Sequence, residues 1–147
     1  MHELSSLVSI GYEGRDADDL VQRLVSENVT VLVDVRLTPI SRKPGLSKTR
    51  LAEKLEAAGI RYVHHRELGN PKDNRDGYRA GSLASRERFA RVLQDQQAEE
   101  ALAHVGELLE GGSVALLCFE RDHSHCHRRM VADAIRRQVP DVRLVTV

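Results

Sequence analysis

The densest chemistry in the chain lies in the segment Cys118-Phe119-Glu120-Arg121-Asp122-His123-Ser124-His125-Cys126-His127-Arg128-Arg129. A thiol beside an imidazole is a candidate nucleophile with its partner base, which fits Cys126 or Cys118 with His127. Side chains two apart on a strand share a face, so Cys118 and Glu120 can serve one ligand, with Glu120 as acid or base. Asp122 or Ser124 can cap a following helix, which would put Cys126 in its first turn, where the helix dipole favours thiolate. Arg128 offers forked contacts to an anion. Helical spacing supports a blander reading of the same residues. Cys126 precedes Met130 by four and His127 precedes Val131 by four, so both continue an apolar stripe, and Cys126 then serves as a small buried hydrophobe. Arg129 falls in a row with Asp133 and Arg136 and reads as surface charge. Cys118, Glu120, His123, His125, Cys126 and His127 all carry ligand atoms. No CxxC pair or HExxH helix organises them, so no metal or cofactor is assigned.

Asp34 and Arg36 form the second constellation, in Val31-Leu32-Val33-Asp34-Val35-Arg36. A carboxylate inside such an apolar run must be paired, hydrogen-bonded or neutral. Alternation puts Asp34 and Arg36 on one face. They are either a structural ion pair or a working pair, with Asp34 as general base or ribose-hydroxyl acceptor and Arg36 holding an anion. Gly11-Tyr12-Glu13-Gly14 is the third constellation. Its glycines allow a tight turn and close approach to a ligand, or simply a turn. Ser41 and Arg42 open a basic cluster with Lys43, Lys48 and Arg50, ahead of a helix that Ser47 can cap. That arrangement suits a phosphate or, equally, a solvated charged face.

These groups need a scaffold that brings them together. Apolar runs at Leu7–Ile10, Val29–Val35, Ile60–His64, Val114–Phe119 and Val142–Val147 read as strands. Helical patterns separate them: Leu20, Leu24 and Val25 behind Asp16; Leu51 and Leu55 up to Gly59; one long region from Phe89 to Gly111; and Met130 to Ile135. Alternating strand and helix predicts an α/β fold, a single-domain three-layer sandwich over residues 1–147 with a mostly parallel five-stranded sheet. A strand order of 3-2-1-4-5 is the expectation. In such sheets ligands bind beyond the carboxyl ends of the strands, where all three constellations fall. Glu67–Ser82 reads as one long irregular loop, of a size that is usually functional or disordered.

Composition narrows the partners. Lysine plus arginine and aspartate plus glutamate each number 22, so no global charge draws the chain to nucleic acid or to an anionic membrane. Three Tyr, two Phe and no Trp are too few for a single-strand stacking platform. Nucleic acid therefore remains a possible but unfavoured partner. No apolar stretch approaches a membrane span, and Met1–Ser6 shows no basic region followed by an apolar run. With only two cysteines, a secreted disulfide framework is not indicated and the cytoplasm is the expected compartment. A homodimer is a base-rate expectation only.

The ordered set Ile10-Gly11-Tyr12-Glu13-Gly14, Leu32-Val33-Asp34-Val35-Arg36, Pro39-Ile40-Ser41-Arg42, Gly59-Ile60-Arg61-Tyr62, Glu67-Leu68-Gly69, Leu117-Cys118-Phe119-Glu120 and Cys126-His127-Arg128 resembles the "domain of unknown function 488" family across essentially the whole chain. The resemblance implies a small bacterial or archaeal α/β domain without an established general activity. Its hallmark positions fall on Asp34, Arg36, Ser41, Arg42, Cys118, Glu120, Cys126, His127 and Arg128. Many members carry a second Gly and a basic residue after the Leu-Gly pair. Here Asn70-Pro71-Lys72-Asp73-Asn74-Arg75 follows instead, which marks the loop as a contributor to substrate choice.

The leading functional expectation is an enzyme, a hydrolase or transferase, acting on a phosphorylated or nucleotide-like small ligand at the sheet rim. Arg36, Arg42 and Arg128 would hold the anion. The spacing does not reproduce the short Cys-to-Arg loop of cysteine phosphatases. A nucleotide- or nucleic-acid-binding module without turnover is one alternative. A metal or redox protein using the Cys/His segment is the other.

Overall fold

A computed structural model describes residues 5–147; the first four positions of the leader-free reading of Met1–Ser6 lie outside them. Five strands, β1 (Ser6–Gly11), β2 (Val29–Asp34), β3 (Arg61–His64), β4 (Ser113–Cys118) and β5 (Arg143–Thr146), form one sheet. Every pairing is parallel, so the sheet is wholly rather than mostly so. The order is β3-β2-β4-β1-β5. The expected order placed β1 beside β2. Instead β4 sits between them, with Leu116 opposite both Ser9 and Val33. Its Val-Ala-Leu-Leu core matches that central place, where a strand is covered on both faces.

Alternation along β4 divides the interior in two. Val114 and Leu116 face one core, with Phe89, Val105, Val131 and Ile135. Ala115 and Leu117 face the other, with Leu20, Leu24, Leu51 and Leu55. The second core is roofed by α1 (Ala17–Ser26) and α2 (Lys48–Ala57). Helix α1 starts at a reciprocal capping box between Asp16 and Asp19. Helix α2 is followed by Gly59 at φ +80°, the left-handed conformation that glycine adopts at least cost after a helix. Ser47 stands at the cap position of α2 but does not cap it. Its hydroxyl accepts from Ser41 N at 3.0 Å and donates to Ser41 O at 3.1 Å, closing the preceding loop.

Three readings of the other layer need correction. The single long region from Phe89 to Gly111 is two helices, α4 (Leu83–Leu93) and α5 (Gln96–Glu110). Asp95 separates them by capping α5, accepting from Gln97 N at 3.1 Å. Glu67–Ser82 is not irregular: it holds tight turns at Arg66–Leu68 and Lys72–Asn74 and a short helix, α3 (Arg75–Arg79). Buried Asn74 pins it by donating to Asn70 Oδ1 at 2.9 Å and to Ser85 O at 3.0 Å. The last helix, α6 (Arg128–Gln138), begins two residues beyond Cys126. Asp122 caps a separate turn at His123–His125, and Cys126 is extended backbone rather than part of a first helical turn. No helix among the described residues is long and apolar enough to cross a membrane.

Candidate active site

The carboxyl ends of β1, β2 and β4 converge on one rim. Tyr12 N donates to Cys118 O at 3.2 Å, and Val35 N donates to Leu117 O at 3.1 Å. Gly11 makes this convergence possible: a Cβ there would overlap the Glu120 carbonyl and come within 2.8 Å of Arg128 Nη1. Its absent side chain allows the close approach of two strand ends.

A cavity of about 90 Å³ opens on this rim, lined by Tyr12, Arg36, Arg75, Arg79, Cys118, Glu120 and His127, among others. Ile40, 72 % exposed, and Phe119, 38 % exposed, form an apolar lip. Phe119 stands edge-on to Tyr12 at 5.4 Å between ring centres.

Cys118 and Cys126 are joined as a disulfide. Both are almost wholly buried; Cys118 lines the cavity and Cys126 lies behind it. Arg128 Nη1 donates to Cys118 Sγ at 3.1 Å, and Glu120 Oε2 lies 3.4 Å from the same sulfur. A guanidinium at that distance stabilises a thiolate whenever the disulfide is reduced. It replaces the helix dipole, which Cys126 sits too early to use. His127 Nε2 is 2.9 Å from the Val35 carbonyl. A carbonyl only accepts, so Nε2 carries the proton and Nδ1 presents its lone pair to Cys126 Sγ at 3.5 Å. Burial pushes the His127 pKa down to about 4, so the ring is neutral at physiological pH.

The remaining expected residues are spent on structure. Asp34 is inaccessible, and its oxygens accept from Arg36 Nε at 2.9 Å, Arg36 Nη2 at 2.7 Å and the Tyr62 hydroxyl at 2.6 Å. Arg36 Nη1 donates to Leu46 O at 2.7 Å. Burial alone would lower the Arg36 pKa, but the Asp34 carboxylate holds it above its usual value. Burial and the Asp34 charge likewise raise Tyr62. This ion pair lies on the α1/α2 side of the sheet. The cysteines lie on the α5/α6 side, and the two groups meet only at the rim. Arg128 is fully buried: besides Cys118 it donates to Ser9 Oγ at 2.9 Å, Ile10 O at 3.0 Å and Glu120 O at 2.6 Å. Its pKa falls to about 10 through burial. It braces the site from behind and has no face toward a ligand.

Arg42 is exposed and lines no part of the cavity. Ser41 Oγ accepts from Lys43 N at 3.1 Å within its own loop. Glu13 Oε1 accepts from Arg121 N at 3.0 Å, and Gly14 turns at φ +77°. Besides Arg36, whose guanidinium is taken up by Asp34 and Leu46 O, two further arginines that line the cavity come from the segment after β3. Arg79 Nη2 meets Glu120 Oε1 at 2.8 Å, and Arg75 Nε donates to Asn70 O at 3.2 Å. Composition flagged that segment as functional, but no periodicity singled out these two arginines.

Sγ of Cys118, Sγ of Cys126 and a ring nitrogen of His127 lie within 4.8 Å of one another, the donor set of a soft metal site. The Arg128 guanidinium beside Cys118 opposes a divalent cation there.

Fold and site together define a parallel α/β protein with a sulfur pair beneath a small arginine-walled cavity at its sheet rim. The chain belongs to the family described as "Domain of unknown function DUF488", whose pattern it matches over residues 16–135. No curated protein and no solved structure matches it.

Proposed function

We propose that this protein is an enzyme, a transferase or hydrolase, that works through the Cys118 sulfur on a small anionic ligand of the phosphorylated or nucleotide-like class. The observation that carries the reading is the placement of Cys118 at the cavity floor between Glu120 and Arg128, with Arg75 and Arg79 on the wall. In the reduced protein the Cys118 thiol gives its proton to Glu120, and the sulfur attacks the electrophilic atom of the ligand. The bond to the leaving group breaks and a covalent adduct forms, which water or a second acceptor then releases. Arg79 orients Glu120 and, with Arg75, meets the anionic group. A cavity of about 90 Å³ has room for one such group. The rest of the ligand lies across the lip, where Phe119 and Ile40 suit a flat or apolar part.

Alkylation tests the reading. In reduced Cys126→Ser protein, inorganic phosphate or a nucleoside monophosphate should slow iodoacetamide labelling of Cys118 several-fold. Turnover of an aryl phosphate by the reduced wild-type protein should vanish in Cys118→Ser. Labelling indifferent to both anions, together with no turnover that depends on Cys118, would exclude it.

A further inference from the structure

The cysteine pair has an asymmetry that anion chemistry does not need. Both sulfurs are almost wholly buried, but only Cys118 lines the cavity, where a guanidinium holds it; Cys126 lies against an imidazole whose tautomer is fixed. Covalent catalysis at Cys118 requires neither Cys126 nor a bond to it. Yet the two sulfurs meet, across a loop that closes from the end of β4 to the start of α6.

We propose that Cys118 and Cys126 are the attacking and resolving thiols of a peroxide-reducing dithiol centre. The Cys118 thiolate, stabilised by Arg128 Nη1 at 3.1 Å, attacks the terminal oxygen of a small hydroperoxide. An S–O bond forms, the O–O bond breaks, and the departing oxygen takes a proton to leave as water or an alcohol. Cys126 then attacks the sulfenic sulfur. The S–S bond forms, the S–O bond breaks, and the hydroxyl leaves as water with the Cys126 proton. The peroxide gains two electrons and the thiols lose two. Two molecules of a low-molecular-weight thiol then return the disulfide to the dithiol. The first attacks the Cys118 sulfur, the protein S–S bond breaks and the Cys126 thiol is released. The second attacks the mixed disulfide, frees the Cys118 thiol and leaves as the external disulfide.

Three features favour this chemistry. The cavity that Cys118 lines, about 90 Å³, has room for a small hydroperoxide. Arg128 stabilises the reduced form, which makes the disulfide easier to reduce again. The Nδ1 lone pair of His127 lies 3.5 Å from Cys126 Sγ, placed to accept from the Cys126 thiol once the disulfide is reduced and to hold that sulfur toward Cys118. The proposal shares Cys118 with the reading above but uses neither Arg75 nor Arg79. Loss of anion protection therefore leaves it standing, and absence of peroxide chemistry leaves the anion reading standing.

The experiment uses the whole reduced chain and one equivalent of hydrogen peroxide, with intact mass and a sulfenic-acid trap as readouts. Wild-type protein should lose two hydrogens about tenfold faster than free cysteine oxidises at the same pH, because the Arg128 guanidinium beside Cys118 stabilises the attacking thiolate. Cys126→Ser should accumulate a trapped sulfenic acid on Cys118, and Cys118→Ser should form neither product at that rate. Oxidation of the wild type no faster than free cysteine, or a trapped adduct on Cys126 in place of Cys118, would overturn the proposal. So would stoichiometric zinc retained by the reduced protein, because both thiolates would then be ligands.

Discussion

The Asp34 carboxylate and the Arg36 guanidinium close a 2.7 Å ion pair at the end of β2 that is almost entirely shielded from solvent. Breaking a buried pair strands the surviving charge, at a cost of about 3–5 kcal/mol. Asp34→Asn should therefore lower unfolding free energy by that amount in urea titrations. Tyr62→Phe, which removes one hydrogen bond to the carboxylate, should cost about 1–3 kcal/mol. Losses within about 0.5 kcal/mol for both variants, as at an ordinary surface site, would contradict a structural role for the pair.

His127 makes stability depend on pH. Its folded pKa of about 4 lies below the usual 6.5. Between those values the unfolded chain binds the proton that the folded chain refuses, so stability is full above about pH 6.5 and is lost as pH falls toward 4. The depression corresponds to about 3 kcal/mol. His127→Gln keeps an N–H for the Val35 carbonyl and does not titrate. Its urea midpoint should fall less steeply than the wild type's across this window; parallel slopes would show that His127 is not the cause.

Two glycines separate close approach from backbone conformation. Gly11→Ala drives a methyl group into the Glu120 carbonyl, and should cost about 3 kcal/mol or more because backbone must move. At Gly59 a Cβ meets no atom within 4 Å. Gly59→Ala should cost only about 1–2 kcal/mol, from φ +80° alone. Thermal unfolding of the two variants checks the order, and a Gly59 effect equal to or above that at Gly11 would refute it.

Arg79 is 43 % exposed and its pairing with Glu120 is partly solvated. Its removal should cost little stability, within about 1 kcal/mol. Arg79→Ala should nevertheless abolish phosphate protection of Cys118 against alkylation. Unchanged protection in a variant of unchanged melting temperature would remove Arg79 from the binding wall.

Much of this architecture was legible in the sequence. The strands were, because their apolar runs are short and bounded by helical periodicity, as in Val114–Phe119. So was the pairing of Asp34 with Arg36, which follows from alternation inside an apolar run. Strand order was not, because nothing in β1 or β4 records which edge of β2 each will take. Arg36 and Arg128 read as anion ligands because type and spacing do not reveal what else a guanidinium will bond. Both are consumed by backbone carbonyls, a carboxylate or a sulfur. Arg75 and Arg79 were missed because a five-residue helix after tight turns leaves no periodic trace. The Cys118–Cys126 contact depends on the chain path from β4 to α6, which the capping residues suggested one turn too early.

The central place of β4 also orders assembly. β1 and β2 share no hydrogen bonds, and β4 alone joins them. A nascent chain that ends at Gly112 thus holds a lone first strand and a separate β2–β3 pair, with open edges facing a gap. The sheet cannot shut until β4 is in place. The strand that shuts it also delivers Cys118, so the sulfur chemistry arrives only with the finished fold.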